Sequence, residues 1–203
     1  MIGLLKKDGL VLIRAMRWMV LFIAVFLFLP GMQAFGVIYL SILTITTISY
    51  DEQAKWDVMA RMMPYSPFEV VFEKYLFGYL SGLIGAVGGT IAVLITALFQ
   101  KAPFSGEELL GIVLTFLVGQ LFLGINLPLI FRFGAAKTRV VTLVLCGALG
   151  GIFAAFGDRV FAFLEGGLSV GLTLIVGIAA LAVAALHAVG IPLSVRFYQK
   201  QAE

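Results

Sequence analysis

The sequence predicts an all-α integral membrane protein, a six-transmembrane-helix bundle with a short cytoplasmic helix between the second and third spans. Two observations carry this prediction. First, 62% of the 203 residues are hydrophobic and 12% are charged, whereas soluble domains are nearer half apolar and a quarter charged. Second, the apolar residues are gathered in runs long enough to cross a membrane as helices, in which the backbone polar groups bond internally.

Six apolar segments take up most of the chain, so a single transmembrane domain is expected for residues 1–203. A spanning helix needs about 20 mostly apolar residues, because the hydrocarbon core is about 30 Å thick and each residue advances the helix by about 1.5 Å. The predicted spans are residues 10–29, 34–50, 75–99, 109–131, 140–156 and 168–191. The first span reaches this length only if it begins at Leu10, and Pro30 with Gly31 ends it.

The basic residues are distributed unevenly between the two sides of the predicted bundle. Of the 14 Lys and Arg residues, all but Lys101 and Arg159 fall in the terminal segments or in the second and fourth connections. Because Lys and Arg concentrate in cytoplasmic loops, both termini are expected in the cytoplasm, and the number of spans is even. The net charge of +3 is too small to suggest nucleic acid as a partner.

Small residues recur at four-residue spacing in several predicted spans, a pattern that lets helix backbones approach closely in lipid. These pairs are Gly78 with Gly82, Gly85 with Gly89, Gly147 with Gly151, and Gly167 with Gly171. Two interpretations are open. The glycines pack helices within one bundle, or some of them form a seam between two copies of the chain.

The longest polar connection, residues 50–74, has the pattern of a short amphipathic helix. Its apolar residues Trp56, Met59, Ala60 and Met63 fall at i, i+3, i+4 and i+7, which is one helical face. The predicted helix covers residues 51–63, about three turns. Ser49 with Glu52 is the expected cap at its start, and Pro64 is the expected stop.

A second helix start follows within the same connection. Ser66 is the predicted N-cap, Pro67 takes the first helical position and Glu69 the third. The connection carries five acidic and three basic residues. The amphipathic helix could lie on lipid headgroups or dock a soluble partner, and its acidic content favours docking, since anionic headgroups attract basic helices.

No motif in the chain predicts an enzyme, a bound metal or a cofactor. The stretch from Gly134 to Thr138 lacks the Gly-Lys-Ser/Thr ending of a phosphate-binding loop. No Asp or Glu lies well inside a predicted span, whereas proton- or sodium-driven transporters place carboxylates there. His187 is expected to form a hydrogen bond between helices, with a proton relay as the alternative. A transporter of this composition would take its energy from another subunit.

Three short segments resemble the compact permease subunits of bacterial ABC type-2 transporters. Leu4-Leu5-Lys6-Lys7-Asp8 is similar to the start of those permeases. The segment Ser49-Tyr50-Asp51-Glu52, followed by Lys55-Trp56-Asp57, is similar to the region after their second span. Pro64-Tyr65-Ser66-Pro67 through Glu73-Lys74-Tyr75 is similar to the lead into their third.

The resemblance implies a half-transporter in the bacterial cytoplasmic membrane. A second permease copy, in a homodimer, and two cytosolic ABC ATPase subunits would be its partners, with ATP and Mg²⁺ held on the ATPases and no cofactor on this chain. The resemblance implies that the short cytoplasmic helix over residues 51–63, between the second and third spans, is a coupling helix. Its residues that would contact the ATPase are Asp51, Glu52, Lys55, Trp56, Asp57, Met59, Ala60, Arg61 and Met63. An outer re-entrant segment would contain Asp158, Arg159 and Phe161.

The predicted function is therefore the permease of an ATP-driven ABC exporter. Members of this kind of family that the chain resembles export amphipathic peptides, including lantibiotics and phenol-soluble modulins, so amphipathic or antimicrobial peptides are the expected substrates. The alternative is a secondary transporter or channel that works without an ATPase. That alternative predicts gradient-driven flux that is sensitive to substitution of His187 or Asn126.

Overall fold

The computed structural model describes residues 1–29, 32–100, 106–144, 146–147 and 168–200, and every regular element within these residues is an α-helix. The helices are α1 (Ile2–Ala15), α2 (Arg17–Phe28), α3 (Gln33–Gln53), α4 (Trp56–Met62), α5 (Pro67–Gln100), α6 (Gly106–Phe133) and α8 (Leu168–Lys200). Between the last two, α7 begins at Ala135, and its described helical residues are 135–144 and 146–147. The predicted all-α class is confirmed.

Within the described residues, four helices are long and apolar enough to cross a membrane, and they lie in α3, α5, α6 and α8. Helices α1 and α2 pass the same test when they are taken together. The predicted fifth span coincides with α7 in its first part, and residues 148–156 of it lie outside the described residues. Six spans therefore stay a prediction, while a multi-pass membrane protein is established.

The predicted first span, residues 10–29, is wrong as a continuous helix. Helices α1 and α2 meet at an angle of 85°, and the break falls at Met16, whose φ of −116° and ψ of 17° are not helical. At about 1.5 Å per residue, the 12 residues of α2 cover about 18 Å, less than the hydrocarbon core. The sequence prediction joined the two helices because apolar runs lie on both sides of the short stretch from Arg14 to Arg17, which was expected to reach the membrane interface.

The helices pack closely where their sequences carry small residues. Helix α3 packs mainly against α5 and α6, and α6 packs mainly against α8. A methyl group added at Gly78 would lie 2.2 Å from a Leu123 methyl, and one at Gly82 would lie 2.6 Å from the Gln120 amide nitrogen. The glycines of α5 therefore serve packing within one bundle, as the first of the two interpretations predicts. Gly147 has no side chain within 4 Å of such a methyl.

One end of the bundle is the meeting place of most helices, and we call it the basic end. Its buried apolar cluster includes Leu4 of α1, Val70 of α5, Phe131 of α6, Ala135 of α7 and Tyr198 of α8. Helices α5 and α8 contain 34 and 33 residues, so each is about 50 Å long and exceeds the hydrocarbon thickness of about 30 Å. Each of these two helices is therefore longer than a crossing of the hydrocarbon requires.

Candidate functional site

A cluster of five ionisable side chains joins three helices at the basic end. We call it the charged cluster, and its members are Lys7 and Asp8 of α1, Asp51 of α3, and Glu73 and Lys74 of α5. The Lys74 ammonium lies 2.5 Å from Asp8 Oδ2 and 2.6 Å from Asp51 Oδ2. Lys7 Nζ donates to both oxygens of Asp51, at 2.7 and 2.6 Å. Two lysines thus share one aspartate.

Burial makes this charged cluster a strong constraint on the fold. Asp8, Glu73 and Lys74 are 0%, 1% and 4% exposed. Burial on its own raises the pKa of Asp8, but the charges of Lys74 and Lys7 outweigh burial, and the net pKa is below the ordinary value of 3.8. A buried charge is stable when it is paired and hydrogen-bonded, because desolvation is then offset. The cluster therefore holds α1, α3 and α5 in one arrangement.

Helix α1 also touches the first residue of α4. Lys7 Nζ lies 4.6 Å from the centre of the Trp56 ring, which is a cation–π distance. A methyl group added at Gly3 would lie 3.2 Å from the Tyr65 hydroxyl. Lys7 thus bonds the end of α3 and lies over the first residue of α4. Helix α1 is therefore close to the chain both before and after α4.

The last turn of α3 is fastened to α7 as well. Glu52 Oε1 accepts a hydrogen bond of 2.7 Å from the backbone N–H of Ala135. An acidic side chain at this position caps the exposed N–H groups of a helix start and complements its positive dipole end. Arg139 of α7 donates a hydrogen bond of 2.8 Å to the Ser49 hydroxyl. Gly134, with φ of +82°, makes the sharp turn from α6 into α7.

Helix α4 is shorter than the predicted helix over residues 51–63. Helix α3 continues through Gln53, and α4 occupies Trp56–Met62. The predicted Ser49 cap is wrong, since Ser49 lies inside α3 and its hydroxyl donates to the Ile45 carbonyl. The two helices are separated at Lys55, whose φ of 51° lies in the left-handed region. That conformation costs a non-glycine residue about 1–2 kcal/mol.

The side chains of α4 divide into an inward and an outward set. Ala60 is buried, and Trp56 packs against the apolar cluster of the basic end. Met59 is 46% exposed and Met62 is 82% exposed. The predicted face of four apolar residues is therefore split between the bundle and the exterior. Met62, which the periodicity did not select, is the most exposed apolar residue on α4.

The start of α5 has the predicted capping. The Ser66 backbone N–H donates to Glu69 Oε2 at 2.9 Å, and the Glu69 N–H donates to the Ser66 hydroxyl at 3.2 Å. This reciprocal pair is a capping box. Helix α5 begins at Pro67, so the prediction of Ser66, Pro67 and Glu69 at its start is confirmed. The connection from α4 to α5 is consequently a short turn between two defined helix ends.

The predicted partner-contact residues occupy different environments. Asp51 is in the charged cluster, Glu52 caps α7, and Lys55 is the exposed residue between the helices. Met63 is 38% exposed. Asp57 and Arg61 lie within α4, and their side chains are outside the described part of the structure. Asp158, Arg159 and Phe161, predicted for an outer re-entrant segment, also lie outside the described residues.

Polar side chains within the bundle bond mainly to nearby backbone. His187 Nδ1 lies 2.8 Å from the Val183 carbonyl oxygen of its own helix, so the expected hydrogen bond between helices is wrong. Its ring instead contacts the rings of Tyr75 and Tyr79 on α5. Asn126 accepts a 2.5 Å hydrogen bond from Thr142 of α7. Among the described residues, no group of three or more His, Cys, Asp or Glu side chains could hold a metal ion.

Sequence reasoning missed the residues that join the parts of this site. Asp8, Glu73 and Lys74 lie within the segments that resemble ABC type-2 permeases, but no role is predicted for them, for Tyr198 or for Ala135. A usable signal exists for three of them. The adjacent opposite charges in Lys7-Asp8 and Glu73-Lys74 each stand close to an apolar run, where an unpaired charge would be costly.

The fold and the site define a class: a multi-pass helical membrane protein with a short helix exposed at its basic end. Residues 3–199 match the family model described as ABC-2 family transporter protein, and the chain belongs to that family. It is thus the permease, the membrane subunit of an ABC transporter, and is not itself the catalytic subunit. Permeases of this family generally work with ABC ATPases. No curated protein and no solved structure matches the chain significantly.

Proposed function

We propose that this chain is the permease subunit of an ATP-driven exporter and that α4 is its coupling helix, which contacts a cytosolic ABC ATPase. The observation that carries the proposal is the position of α4. It lies at the basic end, is exposed along Met59 and Met62, and follows directly from α3, the helix fastened to α1, α5 and α7. A force applied to α4 would therefore reach several helices at once.

The described contacts support such a transfer of force. Asp51 connects the turn before α4 to Lys7 and Lys74, while Glu52 connects it to Ala135. Charge-assisted hydrogen bonds of this kind are stronger than neutral ones. When ATP binding closes the ATPases, α4 would move with them. The charged cluster and the Glu52 cap would then carry that movement into α1, α5 and α7.

The contact with the ATPase is proposed to be mainly apolar. The acidic residues that the sequence assigned to this contact are engaged within the chain: Asp51 by two lysines and Glu52 by the start of α7. The methionines remain available, and a flexible, polarizable side chain suits a docking surface. Met59 and Met62 are therefore the proposed main contacts, with Val58 and Met63 beside them.

The proposed transporter contains more than one copy of this chain. Two copies of the chain would pair as a homodimer and bind two ATPases, with six spans per copy and both termini in the cytoplasm of a bacterium. The basic end would face the cytoplasm, in keeping with the distribution of Lys and Arg. Lys7, Lys74 and Arg139, which lie far apart in the sequence, all contribute to this end.

Amphipathic peptides are the proposed substrates. The described spanning helices carry apolar and aromatic surfaces with few charges, which suit a molecule that is itself partly apolar. Phe22, Phe26, Phe35 and Tyr39, for example, line a cavity of about 430 Å³ between α2 and α3. A strongly charged solute would find few partners among the side chains described in these helices.

The experiment is transport in liposomes with the ABC ATPase encoded beside this chain. A fluorescent amphipathic peptide is supplied on the ATPase side, and its movement is followed with ATP, with a non-hydrolysable ATP analogue, and with the permease alone under a proton or sodium gradient. Movement that requires both the ATPase and hydrolysable ATP supports the proposal. Gradient-driven movement by the permease alone would instead indicate a secondary transporter or channel.

A further inference from the structure

A cavity of about 270 Å³ opens beside α4 at the basic end, and we call it the Trp56–Tyr198 cavity. Five helices contribute to its lining, which consists of Ile48, Asp51, Glu52, Trp56, Val70, Lys74, Ile130, Phe131 and Tyr198. Helices α3, α4, α5, α6 and α8 therefore all touch whatever enters it. This convergence distinguishes the cavity from the apolar cleft between α2 and α3, which two helices line.

The size of the cavity indicates what it can hold. Sites for drug-sized molecules have volumes of about 300–1,000 Å³, and this cavity is slightly smaller. A single long side chain is a better match than a separate small molecule. The cavity adjoins Trp56, the first residue of α4. A protein that binds the exposed methionines of α4 is therefore close enough to place one long side chain in the cavity.

The lining indicates the chemistry of that side chain. Ile48, Val70 and Ile130 contribute apolar side chains to the lining, and Trp56, Phe131 and Tyr198 contribute aromatic rings. Asp51, which Lys7 and Lys74 already bond, and Glu52 contribute carboxylates to the lining, and Lys74 contributes an ammonium. Aromatic faces attract cations, and long basic side chains lay their aliphatic stems along apolar surface while the charged group reaches a polar rim.

The basic residues nearby are directed to other partners. Lys7 and Lys74 are held by the aspartates of the charged cluster, Arg139 donates to Ser49, and the Arg132 guanidinium lies over the rings of Phe133 and Phe197. Glu52 is exposed at the surface and engages α7 through Oε1. Asp51 is already bonded to both lysines, and Lys7 already lies over the Trp56 ring. A guanidinium that enters the cavity would therefore meet the rings of Phe131 and Tyr198 and the carboxylate of Glu52.

We propose that the Trp56–Tyr198 cavity receives an arginine or lysine side chain of the partner ATPase. The inference rests on the proposed function, because it presupposes that an ATPase binds α4, and it names the second part of that contact. The exposed methionines would supply the apolar contact, and the cavity would hold one basic side chain among five helices. The ATPase would thus contact the helices of the bundle as well as the coupling helix.

The test measures ATPase binding to the full-length permease in nanodiscs, with Tyr198→Leu and Tyr198→Phe as a matched pair. Leucine keeps apolar volume but removes the aromatic face, whereas phenylalanine keeps the ring. We expect Tyr198→Leu to weaken binding about three- to tenfold, which is the range of a partly desolvated cation–π contact, and Tyr198→Phe to stay close to the wild type. Equal affinities for all three proteins, or equal losses in both variants, would overturn the proposal.

A crosslinking experiment identifies the occupant without depending on a loss of affinity. The photoreactive amino acid p-benzoylphenylalanine is placed at position 198, and crosslinked peptides of the ATPase complex are sequenced. We expect a crosslink to an ATPase segment in which one Arg or Lys, when changed to Ala, weakens binding to the wild type but not to Tyr198→Leu. Crosslinks confined to lipid or to a second permease overturn the cavity proposal, whereas the absence of any complex with the wild type overturns the proposed function itself.

Discussion

The Lys74 ammonium on α5 lies 2.5 Å from the Asp8 carboxylate on α1, and these side chains are 6% and 0% exposed. Breaking a buried pair by removing one partner costs about 3–5 kcal/mol, because the other charge is left uncompensated. We therefore expect Lys74→Met to lower the free energy of unfolding by about 3 kcal/mol or more, seen as a lower midpoint of thermal unfolding in detergent. Lys6→Met, at an exposed position of α1, is the control, and equal midpoints for both variants would contradict this role.

The same aspartate should make stability depend on acid pH. The pKa of folded Asp8 is below 3.8, since Lys74 and Lys7 together outweigh the effect of burial. The unfolded chain then binds a proton more readily, so the stabilisation is complete above the unfolded pKa of about 3.9 and is lost as the pH falls through the lower folded pKa.

We accordingly expect the unfolding midpoint to fall as the pH is lowered from about 5 to about 3. Asp8→Asn should start from a lower midpoint at neutral pH and show a smaller fall, because the titrating group is gone. The measurement is thermal unfolding of both proteins across this range. Parallel curves for the wild type and Asp8→Asn would show that Asp8 does not contribute to the acid sensitivity.

Close packing of α5 against α3 and α6 leads to a third prediction. A methyl group at Gly82 would lie 2.6 Å from the Gln120 amide nitrogen and 2.7 Å from the Ser41 hydroxyl, whereas one at Gly177 on α8 meets nothing within 4 Å. We expect Gly82→Ala to destabilise the bundle by about 1–3 kcal/mol. Gly177→Ala should be neutral or slightly stabilising when both variants are unfolded in the same detergent. A neutral Gly82→Ala would place α5 farther from its neighbours.

The cap that α3 places on α7 can be tested separately from the charged cluster. Removing a capping side chain typically costs about 0.5–2 kcal/mol, and Glu52 accepts the Ala135 N–H at 2.7 Å. We expect Glu52→Ala to speed hydrogen exchange at the first residues of α7, measured by mass spectrometry. Gln53→Ala, at the adjacent exposed position, should leave that exchange unchanged. Identical exchange in the two variants would exclude the cap.

The features that the sequence predicted well depend on neighbouring residues. Ser66, Pro67 and Glu69 define a helix start through their own backbone and side chains, so three residues contain the whole signal. The apolar runs of α3, α5, α6 and α8 are likewise visible in any window of suitable length. The break at Met16 has no Pro or Gly to mark it, and the charges of Arg14 and Arg17 beside it are equally compatible with a continuous helix whose basic side chains reach the interface.

The roles of the charged residues depend on contacts between distant parts of the chain. Asp51 and Glu52 were expected to contact a partner because the groups that they bond within the chain are distant in sequence. Lys7 is 44 residues before Asp51, and Ala135 is 83 residues after Glu52. The Trp56–Tyr198 cavity could not be predicted for the same reason, because Trp56 of α4 and Tyr198 of α8 are far apart in the sequence. A single sequence contains no measure of these proximities, and the contacts appear once the helices are packed.

ATPase binding to variants of Met62, the most exposed apolar residue of α4 at 82%, tests the proposed coupling role of α4 most directly. Met62→Leu keeps the apolar contact, and Met62→Glu places a charge in it without disturbing any buried group. With the permease in nanodiscs and the neighbouring ATPase in solution, we predict near-wild-type affinity and ATP turnover for Met62→Leu. For Met62→Glu we predict affinity at least about tenfold weaker, equivalent to about 1.4 kcal/mol. Unchanged affinity and turnover in Met62→Glu would contradict the claim that α4 is the coupling helix.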